Sequence, residues 1–169
     1  MYLAVSTRPD IAKAVSNVSK FLHCPGILHW QAVKRILRYL KGTIDFKLRL
    51  GGRAPLRLEA YTDADWGGDL DSRKSTTGYV IYLGDSVISW KSRLQPTVAK
   101  STTEAEYMAL TEVISEVLYL IPILDCMGYK PAEAINIHED NQGAIAISKN
   151  AINHARSKHI EHALTIECL

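Results

Sequence analysis

The sequence predicts an α/β protein, a mixed sheet with flanking helices, preceded by a small helical segment. Three observations carry that expectation. Apolar residues recur at helical spacing up to about residue 50 and then switch to the alternation of a strand. Three strand-like runs follow in succession, then one long helical run, a further strand and a helix. Three carboxylates, Asp63, Glu106 and Asp140, each fall where one of these elements meets the next. On this reading residues 1–50 form a helical unit, 51–55 a linker, and 56–169 the sheet-bearing domain.

The first helix is expected over residues 9–22. Pro9 suits a first turn, and Ile11, Val15, Val18 and Leu22 share a face. Pro25 and Gly26 interrupt the pattern. A second helix follows from Ile27 to Lys41, with Trp30, Val33, Ile36, Leu37 and Leu40 on its apolar side and Gly42 at its C-terminal cap. Lys34, Arg35, Arg38 and Lys41 form a basic stripe beside that face, which suits either plain solvation or contact with phosphates. After Gly-Gly-Arg-Ala-Pro (51–55), Leu56, Leu58 and Ala60 alternate with Arg57, Glu59 and Tyr61 in strand period. Residues 69–77 are polar and turn-like. Gly78–Leu83 and Ser86–Trp90 read as two strands joined by Gly84-Asp85, a two-residue loop that signals a hairpin.

The longest helix is expected from Ser101 to about Met127, with Val113, Ile114, Val117, Leu118, Ile121 and Leu124 on one buried face. Pro122 should kink or shorten it, and Gly128 ends it. Ala134–Glu139 reads as a fourth strand and Asn141–Lys149 as a short helix. Residues 154–169 show only weak helical character.

Composition bounds function only loosely. The 47% hydrophobic content is enough for a core, and a net charge of +2 does not by itself argue for nucleic acid, although basic residues gather near both ends. Cys24, Cys126 and Cys168 are widely spaced and odd in number, a pattern expected of reduced intracellular thiols. Neither a signal peptide nor an apolar run long enough to span a bilayer stands out.

The carboxylates carry the chemical argument. Asp63 lies in Tyr61-Thr62-Asp63-Ala64-Asp65-Trp66, Glu106 in Thr103-Glu104-Ala105-Glu106-Tyr107, and Asp140 in Ile137-His138-Glu139-Asp140-Asn141-Gln142. Converging acids bind hard divalent cations such as Mg²⁺, and two such ions about 3.5–4 Å apart can drive phosphodiester hydrolysis. Each acid also has a structural alternative. Asp63 could be a turn residue. Thr103-x-x-Glu106 is a capping box, as is Ser101-x-x-Glu104, so Glu104 could serve the cap and leave Glu106 free. Asp140 could be an N-cap. Asp65 and Asp69 suit turns, and Trp66, Tyr79 and Trp90 suit either base stacking or sheet packing.

The wording of the motifs narrows the choice. Asp63-Ala64-Asp65-Trp66-Gly67-Gly68-Asp69, Arg73-Lys74-Ser75-Thr76-Thr77-Gly78-Tyr79, Ser89-Trp90-Lys91-Ser92, Gln95-Pro96-Thr97-Val98-Ala99 and Ser101-Thr102-Thr103-Glu104-Ala105-Glu106-Tyr107 resemble the ribonuclease H region of copia-type retrotransposon Pol polyproteins. So do Asp140-Asn141-Gln142 and His154-Ala155-Arg156-Ser157-Lys158-His159-Ile160. Thr7-Arg8-Pro9-Asp10-Ile11 and Lys34–Thr43 resemble the segment that joins reverse transcriptase to ribonuclease H.

The resemblance implies a ribonuclease H-like fold and two-metal hydrolysis of the RNA strand of RNA–DNA hybrids. Asp63, Glu106 and Asp140 would be the catalytic, metal-binding acids, and two Mg²⁺ (or Mn²⁺) ions the cofactors. It implies an RNA–DNA hybrid and the reverse transcriptase portion of the parent polyprotein as partners, with no membrane, in a cytoplasmic virus-like particle or the nucleus. Lys34, Arg38 and Lys41, together with His154, Arg156, Lys158 and His159, are the candidate nucleic-acid contacts. Three departures accompany it. No reverse transcriptase catalytic centre is present, Glu161 stands where the family usually has Asp, and the family continues with a strand and a final helix that supplies a fourth acid. A C-terminally incomplete, catalytically impaired or dead nucleic-acid-binding remnant of a decayed element is therefore the alternative expectation.

Overall fold

Five strands form a single sheet in the order β3-β2-β1-β4-β5, built from β1 (Leu58–Asp65), β2 (Thr76–Leu83), β3 (Ser86–Leu94), β4 (Ile135–Glu139) and β5 (Leu164–Cys168). β1, β2 and β3 are antiparallel neighbours, whereas β4 runs parallel to β1 and β5 parallel to β4. The sheet is thus mixed, as expected. The structure is a computed structural model and describes residues 1–52, 55–129, 134–154 and 164–168, with the backbone alone at 150–154 and 164.

The hairpin forms where the Gly-Asp pair places it. Leu83 pairs with Ser86, and Gly84 has φ +58°, the left-handed region that a two-residue turn of this kind requires. β1 runs to Asp65, so Asp63 lies within paired strand, opposite Gly78. The long helix α4 (Thr102–Cys126) covers one face of the sheet. Its Leu110, Val113, Val117 and Leu124 pack with Leu58, Ala60, Tyr79, Ile81, Ile135, Ile137 and Ile166 into one core. Pro122 neither ends nor shortens α4. The carbonyl that it leaves without a helical donor belongs to Leu118, at an exposed position where water can serve. By length and composition α4 could also cross a bilayer, contrary to the sequence expectation, although here it carries the core.

The parallel β4–β5 pairing corrects a second expectation. The tail was expected to add no strand, yet Leu164–Cys168 extends the sheet, with Ile166 buried in the core. Leu164, Ile166 and Cys168 alternate with Thr165 and Glu167 in strand period, but a run of only five residues is a weak signal in the sequence. α5 (Gln142–His154) is longer than expected.

The N-terminal segment is helical. α1 (Tyr2–Ser6) was not anticipated. The expected helix from Pro9 begins as a 3₁₀ turn (Pro9–Ile11) and continues as α2 (Ala12–Ser19), and α3 spans Ile27–Gly42. Gly42 is the last helical residue, and Thr43 takes the cap. α1 and α2 lie outside the sheet against β3, and α3 packs on α2. The Trp90 indole donates to the Ala4 carbonyl (2.7 Å), and Lys13 and Lys20 pair with Asp65 (3.3 Å) and Asp69 (2.8 Å).

Candidate metal centre

The end of the sheet where β1 and β4 finish gathers the acids. In β4, Ile135, Ile137 and Glu139 alternate inward, and Asp140 follows immediately. The register pairs Tyr61 with His138; Asp63 lies two residues beyond Tyr61 in β1, and Asp140 two residues beyond His138, just past the end of β4. In β1, Ala60, Thr62 and Ala64 face α4, leaving Asp63 on the exposed side.

The helix caps free the acids they might have consumed. Ser101 caps α4 by accepting from the Glu104 amide (3.1 Å), while the Glu104 carboxylate accepts from the Lys100 amide (2.6 Å). Glu106 therefore has no capping duty and turns inward. At α5 the Asn141 side chain accepts from the Ala144 amide (3.0 Å), so Asn141 is the cap and Asp140 remains available. Gly143 completes the approach of the two helices. A Cβ there would lie 3.0 Å from Thr103 Cγ2 and 3.1 Å from the Asn141 side-chain oxygen, so a larger residue would wedge α5 away from the start of α4.

Ligand-capable oxygens of Glu106, Glu139 and Asp140 all lie within 4.8 Å of one another. Asp140 is exposed at the mouth, and Glu106 and Glu139 form a buried floor. Asp63 stands outside this closest set, but its charge acts on both buried acids. Burial, then the neighbouring carboxylates Glu139, Asp63 and Asp140, push the Glu106 carboxyl up to about 8, against a hydrogen bond from the Ala64 backbone. Burial, with Asp140 and Asp63 adding to it, raises Glu139 to about 7, although the Asn141 amide donates to its Oε1 (3.2 Å). One oxygen of each acid, Oε2, is buried with no hydrogen-bond partner. Burying an unpaired carboxylate oxygen is costly. A proton or a cation would relieve both. An all-oxygen donor set with no cysteine or histidine suits hard divalent ions.

Glu139 is the residue that the sequence reading missed. The signal was present, because Ile135 and Ile137 already define an inward face on which Glu139 is the next position.

Other expected residues are dispersed. Lys34, Arg38 and Lys41 are exposed on α3, which packs on α2 rather than on the sheet, and Arg38 donates to the Lys34 carbonyl (3.4 Å). His154 ends α5 and is described by its backbone alone, and Arg156, Lys158 and His159 lie outside the described residues. Tyr79 is a core residue, and the Trp66 indole donates to the Ala99 carbonyl (3.2 Å). Asp69 is held at about 2 by Lys20 and by Ser72, whose hydroxyl and amide both donate to it.

Over 161 residues, 95% of its length, the chain is 52% identical to the retrovirus-related Pol polyprotein from transposon TNT 1-94 of Nicotiana tabacum. It is 44% identical over 159 residues to the Pol polyprotein from transposon RE2 of Arabidopsis thaliana. Over 94–95% of its length the chain is thus similar to retrovirus-related Pol polyproteins of plant transposons. The chain spans 12% and 11% of the length of those two relatives. It is also 49% identical over 120 residues to secreted RxLR effector protein 161 of Plasmopara viticola, covering 71% of this chain and 84% of that protein. No protein-family model matches the chain. The Pol similarity covers β1, α4 and β4, the three elements that carry the acids.

Proposed function

We propose that the chain is a ribonuclease H-type domain of a copia-type Pol polyprotein, hydrolysing the RNA strand of RNA–DNA hybrids. The observation that carries this reading is the convergence of carboxylates at the shared end of β1 and β4, with buried oxygens that lack partners. The mixed sheet with α4 on one face is compatible with a ribonuclease H-like fold.

Asp63, Glu106 and Asp140 are the proposed ligands of two Mg²⁺ or Mn²⁺ ions. Bound there, such ions supply an activated water and charge stabilisation at the leaving oxygen. The protein holds the acids ready. The Ser101 cap leaves Glu106 free, and the parallel β1–β4 pairing brings the strand that carries Asp63 and the strand that leads to Asp140 to the same end of the sheet, which supports this reading. The hybrid would be recognised through its minor groove and 2′-hydroxyls, with exposed Lys34, Arg38 and Lys41 as candidate phosphate contacts. The reverse transcriptase portion of a parent polyprotein is the proposed protein partner, and a cytoplasmic particle or the nucleus the proposed location.

The test is cleavage of a labelled RNA–DNA hybrid in Mg²⁺ and in Mn²⁺. Asp63→Asn should lower the rate by about 10²–10³, the typical effect of removing one well-placed electrostatic contact. Absence of cleavage in both metals would instead favour the impaired-remnant reading.

A further inference from the structure

Glu139 is fully buried at the end of β4, beside two acids already proposed to bind metal. Its Oε1 accepts from the Asn141 amide, which fixes the carboxyl and leaves Oε2 with no partner. Its neighbours in the cluster, Glu106 and Asp140, are carboxylates, and among the described residues no salt bridge neutralises Glu139. A merely structural position would be better served by an apolar residue or an amide, because a buried unpaired carboxylate is destabilising.

Oxygens on opposite sides of a Mg²⁺ lie about 4.2 Å apart, and around Ca²⁺ about 5 Å. The 4.8 Å limit that encloses the oxygens of Glu106, Glu139 and Asp140 therefore suits one coordination sphere with slight closure. We propose that Glu139 is itself a divalent-cation ligand, so that β1, α4 and β4 together supply four acids: Asp63, Glu106, Glu139 and Asp140. This rests on the reading of the centre as a cation site. Glu139 and Glu106 would form the inner wall and Asp140 the solvent-facing one.

The experiment is calorimetric titration of the full chain with Mn²⁺ at pH 7.5–8, comparing wild type, Asp140→Asn and Glu139→Gln, with a metal-free thermal melt of each. Glu139→Gln keeps the size of the side chain and its acceptor for the Asn141 amide. It should weaken Mn²⁺ binding at least tenfold while melting at or above the wild-type temperature without metal. Glu139→Asp, which draws the carboxylate back by one methylene, should fall between the two and serves if the glutamine variant does not fold. Mn²⁺ binding lost in Asp140→Asn but unchanged within twofold in the Glu139 variants would overturn this assignment and leave the cation site standing. No Mn²⁺ binding by wild type would overturn both.

Discussion

α3 and α4 carry similar apolar spacing and end in opposite situations. α4 buries Ala105, Glu106, Ala109, Leu110, Val113, Val117 and Leu124, whereas α3 has no buried residue and exposes Ile27, Leu28, Trp30 and Leu37. Periodicity states which face of a helix can be covered, not what covers it. The sheet covers α4. The N-terminal helices are instead tethered by polar contacts. Arg8 donates to Asp10 and to the Thr43 hydroxyl, Tyr39 donates to Asp10 (2.9 Å), and Lys13 and Lys20 reach the β1 side. Carboxylates likewise behave differently in the two settings. Asp10 and Asp69 meet cations and are lowered, while Glu106 and Glu139 are raised by burial and by neighbouring carboxylates.

The largest expected effect comes from making one substitution in both helices. Leu110→Ala should cost about 2–5 kcal/mol in urea unfolding, because the cavity opens in a packed core. Leu37→Ala, at an exposed site, should stay within about 0.5 kcal/mol. Equal losses would show that α3 is buried in solution and erase the contrast.

The buried acids give a pH test. Their folded values, about 8 for Glu106 and about 7 for Glu139, lie above the ordinary 4.5, so the folded protein holds protons that the unfolded chain releases. The associated stability is fully present below about pH 4.5 and is lost as pH rises through 7 to 8. Metal-free thermal melts should therefore fall between pH 5 and pH 8, and Mg²⁺ should restore much of the loss at pH 8 by replacing the protons. A shallower profile in Glu106→Gln, and a flat one when Glu139→Gln is added, beside a sloping wild type, would tie the effect to this centre.

Much of this was legible in sequence, and the reasons differ by element. The Gly84-Asp85 hairpin was readable because a two-residue turn leaves little choice of geometry. Glu106 and Asp140, which the structure brings together, stand out in the sequence because each sits in a distinctive local frame, whereas Asp63 lies outside that closest set. β5 was not, since its alternation of Leu164, Ile166 and Cys168 with Thr165 and Glu167 lasts only five residues. Glu139 was overlooked because a charged residue on an inward strand position contradicts the usual burial preference, and only its acidic neighbours give it a purpose. The division of labour at the caps, Glu104 for α4 and Asn141 for α5, was open in the sequence and was decided by which side chains reach the free amides.

A middle-sized effect is expected at the junction of the two helices. Gly143→Val should push α5 from the first turn of α4 and separate Asp140 from Glu106, weakening Mn²⁺ binding more than it lowers the melting temperature. The reverse ranking would make Gly143 a packing residue without bearing on the centre. The smallest effect belongs to Lys20→Met, which releases Asp69 from its partner. The pair's contribution is present above the ordinary value of 3.8 and lost as pH falls towards about 2. Because the pair lies at the periphery, the substitution should cost no more than about 1 kcal/mol at neutral pH, and hydrogen exchange should rise in α2 while β1 stays protected.

The most direct measurement is an anomalous difference map from crystals of the full chain grown or soaked in Mn²⁺. The account predicts a peak at the shared end of β1 and β4, about 2–2.6 Å from oxygens of Asp140 and Glu106, with Asp63 at its edge. Manganese bound only elsewhere, or none at saturating concentration with those acids still in place, would contradict it.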